Sequence, residues 1–356
     1  MLARWLVVRV GHHEAHRTPR ARAHGILGAG LVLTLALTGC GGATDARGAT
    51  SPTASGSSSA SATGTAVTGA PAVQPADVAA ILADYDARNN AAIAAAGQGF
   101  DSTAWADADT GAVLESDIIG TQLAKAQEGH GDATLVLTHA DPVAYLPLVD
   151  AAQPWFLVRA TLNDVPRLVS LTRAGAGQPW KVEASVELPS GVADPAAPGA
   201  ASTVAATDHE QVQKAIASVI RSIDDPATDP GVFVGPLAEH RRHLDTNASG
   251  LGADAFTSTT TPYAGELTDQ GGPDGSTRVV RAGDGSVLAL ASLRNRVVFT
   301  REGGMLEHGP DFAAVTGQSG PQPSLTYDFL VSVVIRLDQA GKVAVVGSSL
   351  GNLPVR

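Results

Sequence analysis

Trp155-Phe-Leu-Val-Arg-Ala-Thr-Leu162, Arg167-Leu-Val-Ser-Leu-Thr-Arg173 and Trp180-Lys-Val-Glu-Ala-Ser-Val-Glu-Leu188 are three runs rich in β-branched and aromatic residues. Gly175-Ala-Gly-Gln-Pro179 separates the last two with hairpin chemistry, so the three read as an antiparallel meander. Two further strands are predicted upstream, over 133–138 and 143–148. Ahead of these, Pro75 suits a first helical position and Asp77 the positive end of a helix dipole. Val78, Ile81, Leu82, Tyr85, Ala92 and Ile93 follow at helical spacing, with Asn89 the one polar residue on the stripe. A second helix is predicted over 114–127, with Ile118, Ile119 and Leu123 facing inward.

The same order of elements recurs downstream. Residues 191–206, in a stretch of Pro, Gly, Ala and Ser, read as a linker. Thr207-Asp-His-Glu210 is a capping-box pattern, and Val212, Ile216, Val219, Ile220 and Ile223 form the stripe behind it. Gly235-Pro-Leu-Ala-Glu-His-Arg-Arg-His-Leu244 supplies a short second helix. Strands are predicted over 256–263, 277–282, 286–293, 296–301, 325–337 and 342–350, with the final hairpin turning at Asp338-Gln-Ala-Gly341. Residues 303–323 read as an ordered loop with little regular structure. Helices that precede antiparallel strands give the α+β class. The expected architecture is two tandem domains, 75–190 and 207–356, each with N-terminal helices packed on a curved antiparallel sheet.

The N-terminus has a different character. Arg4, Arg9, Arg17, Arg20 and Arg22 precede the apolar run Gly25-Ile-Leu-Gly-Ala-Gly-Leu-Val-Leu-Thr-Leu-Ala-Leu37, and Thr38-Gly39-Cys40 follows. A basic region, a short apolar region and small residues are the three parts of a secretory signal. As a helix the apolar run rises only about 20 Å, short of the ~30 Å hydrocarbon core of a bilayer. Residues 1–39 are therefore expected to be a signal peptide. Residues 40–74 carry so few large apolar side chains that a disordered Ser/Ala/Gly/Thr-rich tether is expected.

Leu37-Thr38-Gly39-Cys40 resembles the lipobox of bacterial lipoproteins. That resemblance implies cleavage before Cys40, a diacylglycerol on its sulfur (with palmitate-type acyl chains), and a place on the outer, extracytoplasmic face of the cell membrane. The order of helices and strands resembles the nuclear-transport-factor-2-like and cystatin-like superfold, in which helices cross a curved sheet to form a cone. Tyr85-Asp-Ala-Arg-Asn89-Asn90-Ala is similar to the first-helix motif of an uncharacterised domain family of secreted or membrane-tethered actinobacterial proteins. Neither resemblance implies an activity for this chain.

Composition excludes several classes. Lys+Arg is 24 against Asp+Glu 35, a formal net charge of −11. So acidic a chain lacks the counterion-release term behind nucleic-acid binding, and no nucleic-acid partner is expected. A single cysteine rules out an internal disulfide and a CxxC redox pair. No GxSxG elbow, HExxH, P-loop or dinucleotide fingerprint is present, and no cofactor is expected. Candidate ligand-binding residues are Tyr85 and Asn89, one helical turn apart, and Trp105, in the polar stretch Asp101-Ser-Thr-Ala-Trp-Ala-Asp-Ala-Asp109. Asp84 and Asp86 fall off the apolar stripe and are expected in solvent. His240 and His243, three apart on a helix, are weak candidates for a metal, because zinc needs at least a third protein ligand and none stands clearly nearby. The expectation is a membrane-anchored, non-catalytic binding or scaffold module of the cell envelope, with a possible envelope protein partner. The rival is a conical-fold isomerase or hydrolase with an Asp or His in its pocket.

Overall fold

The computed structural model describes residues 70–127, 135–149, 154–188, 192–196, 204–263 and 277–355. The signal peptide, Cys40 and most of the tether lie outside these residues. The described chain begins with β1 (Ala70–Pro71), which pairs with β3 (Leu148–Val149), and Val73 is buried. Residues 70–74, expected to be tether, thus belong to the fold. A single 3-10 turn at Pro75–Asp77 leads into α1 (Val78–Gly99), followed by the short α2 (Trp105–Ala108) and α3 (Gly111–Ala126).

The next strands are β2 (His139–Tyr145), β4 (Trp155–Leu162), β5 (Val165–Thr172) and β6 (Lys181–Glu187). Residues 135–138, predicted as strand, are not part of one, and pairing starts at His139. The later elements are α4 (Ala206–Asp224), α5 (Gly235–Leu251), β7 (Ala255–Pro262), β8 (Thr277–Arg281), β9 (Val287–Thr300), α6 (Pro310–Thr316), β10 (Ser324–Leu337) and β11 (Val343–Leu353). Three expectations need correction. The strands expected over 286–293 and 296–301 are one strand, Val287–Thr300, because β9 pairs with β10 along its whole length. The helix predicted to end at Leu244 continues to Leu251, where Ala248 and Leu251 pack on an aromatic cluster around Phe299 and Phe312. The expected loop at 303–323 contains α6. At α4 the helix begins at Ala206, so Thr207 is not its cap; the Asp208 carboxylate accepts the Ala205 N–H at 2.9 Å, half of a capping box.

All the longer strands belong to one antiparallel sheet in the order β2-β4-β5-β6-β11-β10-β9-β7, with β8 on β9. The halves meet where β6 touches β11, at the single pair Glu187↔Ser348. Gly347 makes that meeting possible, since a Cβ there would collide with the Glu187 carbonyl. Each half has its own core under its helices. Val78, Leu82 and Tyr85 of α1 pack on Phe156, Val158, Val169 and Val182. Val212, Ile216 and Val219 of α4 pack on Ala289, Ala291, Val331 and Val333. A third cluster draws on both halves: Leu157, Leu168, Ala184 and Val186 meet Val280, Leu288, Leu290 and Val334. The described residues belong to one compact unit. The linker is pinned where it is described: Tyr145 Oη donates to the Ala193 carbonyl at 2.6 Å, Arg159 Nη1 donates to Val192, and Pro195 bridges to Ala282.

A bulge between β5 and β6 shifts the strand phase, so Val182 faces the helices while Ala184 and Val186 face the shared core. The extra residue is Glu183. It takes a bidentate ion pair from Arg278 of β8, at 2.6 and 2.9 Å, and the Ser170 hydroxyl at 2.6 Å. Arg278 also lies over the Trp155 ring, 4.9 Å from its centroid. Both charged side chains are buried, so neither tolerates loss of the other. Glu183→Ala is expected to cost about 3–5 kcal/mol in urea unfolding, and Glu183→Leu combined with Arg278→Met should recover most of it. A loss below about 1 kcal/mol in the single variant would show that the pair carries no such weight.

Candidate functional site

Between α1 and α3 on one side and the sheet on the other lies a cavity of about 290 Å³. Both halves build it. α1 and α3 supply the roof, β2, β4, β5 and β6 one part of the floor, and Leu330, Ser332 and residues 349–352 of β10 and β11 the rest. α3 can lie so close to β11 because Gly351 has no side chain; a Cβ there would run into Ser116. Glu115, also on α3, faces Arg294 of β9 at 3.4 Å.

Tyr85, Asn89 and Trp105 all line this one cavity. Asn89 is buried, yet its amide makes no hydrogen bond with any described residue, so its donors and acceptor are left for the cavity. The neighbouring Asn90 makes the helix-to-strand bonds instead, donating to the Leu137 carbonyl at 2.9 Å and accepting its N–H at 2.8 Å. Trp105 is half-buried in α2. Its indole N–H donates to Thr121 Oγ1 at 2.9 Å, and Thr121 donates to the Asp117 carbonyl at 2.9 Å.

Asp86 departs from expectation. It is buried on the α1 face toward β2, where its carboxylate accepts the His139 backbone N–H at 2.8 Å and pairs with His139 Nδ1 at 2.6 Å. The carboxylate at Nδ1 places a ring proton on that nitrogen and turns Nε2 toward the cavity. His139 Nε2 is buried at the cavity wall with no hydrogen-bond partner among the described residues. Asp84, by contrast, is exposed and pairs with Arg88. His139 went unread because it fell between two predicted strands. Asp86 went unread because its partner is distant in sequence.

Two more acids stand beside Tyr85. Its hydroxyl donates to Asp109 Oδ1 at 3.2 Å, and Asp109 Oδ2 has no hydrogen-bond partner among the described residues. Burial pushes the Asp109 carboxyl up to about 7, against lowering by Tyr85 and Asp117. Burial likewise pushes Asp117 well above the carboxylate range, with the Asp109 charge adding to the rise. Asp117 shares a helical face with Val113, Gly120 and Ala124, all of which line the cavity. Asp117 is not in the stripe Ile118, Ile119 and Leu123 expected on this helix, and only the fold brings Asp109 beside it. Burial, then Asp109, raises the Tyr85 hydroxyl well above its ordinary value, which keeps it a neutral donor.

The two α5 histidines sit elsewhere and diverge. His240 is buried edge-on against Phe329, with ring centroids 4.6 Å apart, and burial drops it to about 4. Asn295 opposes that shift from nearby, although His240 Nε2 and Asn295 Oδ1 both lack a hydrogen-bond partner by distance and angle. His243 stays at the surface, 3.9 Å from Glu239. Among the described residues no group of three or more His, Cys, Asp or Glu is placed to hold a metal ion. No described helix is long and apolar enough to cross a membrane.

Residues 69–351 match the family model described as "Domain of unknown function (DUF8094)". Comparison with curated proteins gives no match.

The raised Asp109 carboxyl sets a pH dependence. Its proton is held more tightly in the fold than in the unfolded chain, so its contribution to stability should fall as pH rises from about 4 to about 7 and then level off. Thermal melts of the wild type and of Asp109→Asn should therefore diverge across that range, with the wild type losing more. Parallel curves would place the proton elsewhere.

Proposed function

Because that match covers most of its length, the chain belongs to the DUF8094 family, and we propose that it is a lipid-anchored extracytoplasmic module that binds a small molecule in the cavity under α1 and α3. The observation that carries the binding reading is the cavity itself, about 290 Å³ and largely apolar, with the unpartnered Asn89 amide and His139 Nε2 on its walls. Apolar walls with a few convergent polar groups are the usual makeup of a ligand site. At about 30 Å³ per water-sized group, the space suits a ligand of about ten non-hydrogen atoms.

The anchor rests on Leu37-Thr38-Gly39-Cys40 and the basic and apolar segments before it. Two or three acyl chains hold a protein on a bilayer where one chain barely does. In this reading, residues 75–190 and 207–356 are two helix-on-sheet units in tandem, joined through a shared core, and an envelope protein partner would reach the outer surface of the second. Supporting it, each half has its own helix-covered cluster.

A specific observation favours acid–base catalysis as a second reading. The cavity wall carries a histidine oriented by Asp86, with an unpartnered Nε2, and Asp117, whose carboxyl burial raises, so two groups able to exchange protons face one space. A turnover assay would decide between the two, since binding without catalysis predicts that the ligand is recovered unchanged.

Two measurements test the main reading. Mass spectrometry of the membrane fraction should find a diacylglyceryl group on Cys40, and Cys40→Ala should release the protein; an unmodified, soluble wild type would remove the anchor. Titration calorimetry with 1-octanol should show one site per chain. Gly120, on α3, has open space where a Cβ would stand. Gly120→Leu should abolish that site while raising helix stability by up to ~1 kcal/mol. Unchanged octanol binding would place the ligand elsewhere.

A further inference from the structure

The floor of the cavity carries a group that neither the apolar lining nor the His139 region explains. Arg167 of β5 lines the cavity from the sheet side, with Ser185 of β6 and Ser349 of β11 beside it. Its Nε donates to Ser185 Oγ at 2.8 Å, and its Nη2 donates to the Ser185 carbonyl at 3.1 Å and to Ser349 Oγ at 3.3 Å. Ser349 Oγ also accepts the Glu187 N–H at 3.0 Å. Every one of these contacts uses a serine oxygen as acceptor. Among the described residues, neither hydroxyl proton has an acceptor, and Arg167 Nη1 makes no hydrogen bond.

Arg167 also has no ion pair among the described residues. Glu187, its cross-strand neighbour, acts on it through space, yet no carboxylate oxygen comes within salt-bridge distance. This is unlike most buried or half-buried arginines of the chain: Arg278 has Glu183, Arg281 has Asp208, and Arg294 and Arg296 share Asp328. A guanidinium held in a protein wall without a counter-charge is costly, and it cannot shed its proton. The cluster is thus made of donors alone: one cation and two hydroxyls, gathered by three strands from both halves and turned to the same space.

Resting on the reading that the cavity binds a small molecule, we infer that its ligand is an amphiphilic carboxylate, with the carboxylate on Arg167, Ser185 and Ser349 and an apolar body of about eight carbons along the leucine- and valine-lined walls. A carboxylate supplies what the cluster lacks, acceptor oxygens and one negative charge. One guanidinium matches one such charge, and the remaining walls, with Ile93, Val113, Leu123 and Leu330 among them, suit hydrocarbon. Burial, and then the Asp109 charge, raise the Asp117 carboxyl on the helix side well above the carboxylate range, which weakens its opposition to an anion.

Octanoate, 1-octanol and octylamine share a chain and differ in the head group, so they form the test. With the full chain carrying Cys40→Ala, calorimetry at about pH 6 should give octanoate at least tenfold tighter than octanol, and octylamine weakest. Arg167→Gln should bring octanoate down to the octanol level and leave octanol within about twofold. Arg167→Lys, which keeps the charge, should retain part of the preference, and thermal melts of both variants would report folding. Octanol equal to octanoate in the wild type, or octanoate unchanged in Arg167→Gln, would overturn the carboxylate inference while leaving the binding reading intact. If none of the three binds, both fall together.

Discussion

Glu183 and Arg278 set the condition under which the two halves of this chain can share a core. A carboxylate between two hydrophobic strand faces is strongly unfavourable alone, and so is a guanidinium. Placed together with bidentate geometry and the Ser170 hydroxyl, each satisfies the other. The bulge that carries Glu183 also switches the face of β6, so the ion pair and the change of core are one local event. On one side of it, Val182 belongs to the helix-covered core of the first half; on the other, Ala184 and Val186 belong to the core that both halves fill. The sheet contact itself is only one residue pair wide at β6–β11, so side chains carry the connection.

The cavity follows from that junction. Because β11 comes beside β6, α3 reaches over both, and the roof made by the first half is floored partly by the second. Gly347 and Gly351 mark the two close approaches, one strand against strand and the other strand against helix. The Arg167 cluster has the same origin, since Ser185 and Ser349 come from strands more than a hundred residues apart in the chain. A fragment of either half would lose a wall of the cavity as well as a partner for its buried charge.

Much of the fold was legible because it depends on local pattern. Residues 155–162 read as a strand and are one, and the apolar stripe of α1 faces its core as its spacing requires. What misled was polarity with hidden partners. Arg294-Asn295 looked like a break between two strands, with Arg296 opening the second. It lies inside β9 because Asp328 takes both arginines, while Asn295 donates to Ser258 and Thr260. Asp86 looked solvated for the same reason. At the site, Tyr85, Asn89 and Trp105 could be picked out as polar or amphipathic groups in unusual settings. His139, Asp117 and Arg167 could not, since each is defined by what the fold brings opposite it.

A contrast in how polar groups are treated argues that the cavity is kept rather than left over. Elsewhere several buried charges are met by opposite ones: burial alone would raise the Asp328 carboxyl, but two guanidiniums hold it below the ordinary range. Asp224 likewise accepts from Ser258 and Thr260. Around the cavity the treatment reverses. Among the described residues the Asn89 amide and His139 Nε2 make no hydrogen bond and Arg167 makes no ion pair, and Gly120 interrupts a helix where a Cβ would meet nothing. An unmet buried hydrogen-bonding group costs about 1–3 kcal/mol, and a mid-helix glycine about 1 kcal/mol. On the proposed reading, an occupant that is apolar along its body and accepts hydrogen bonds at its head would meet the donors of Asn89 and Arg167 together.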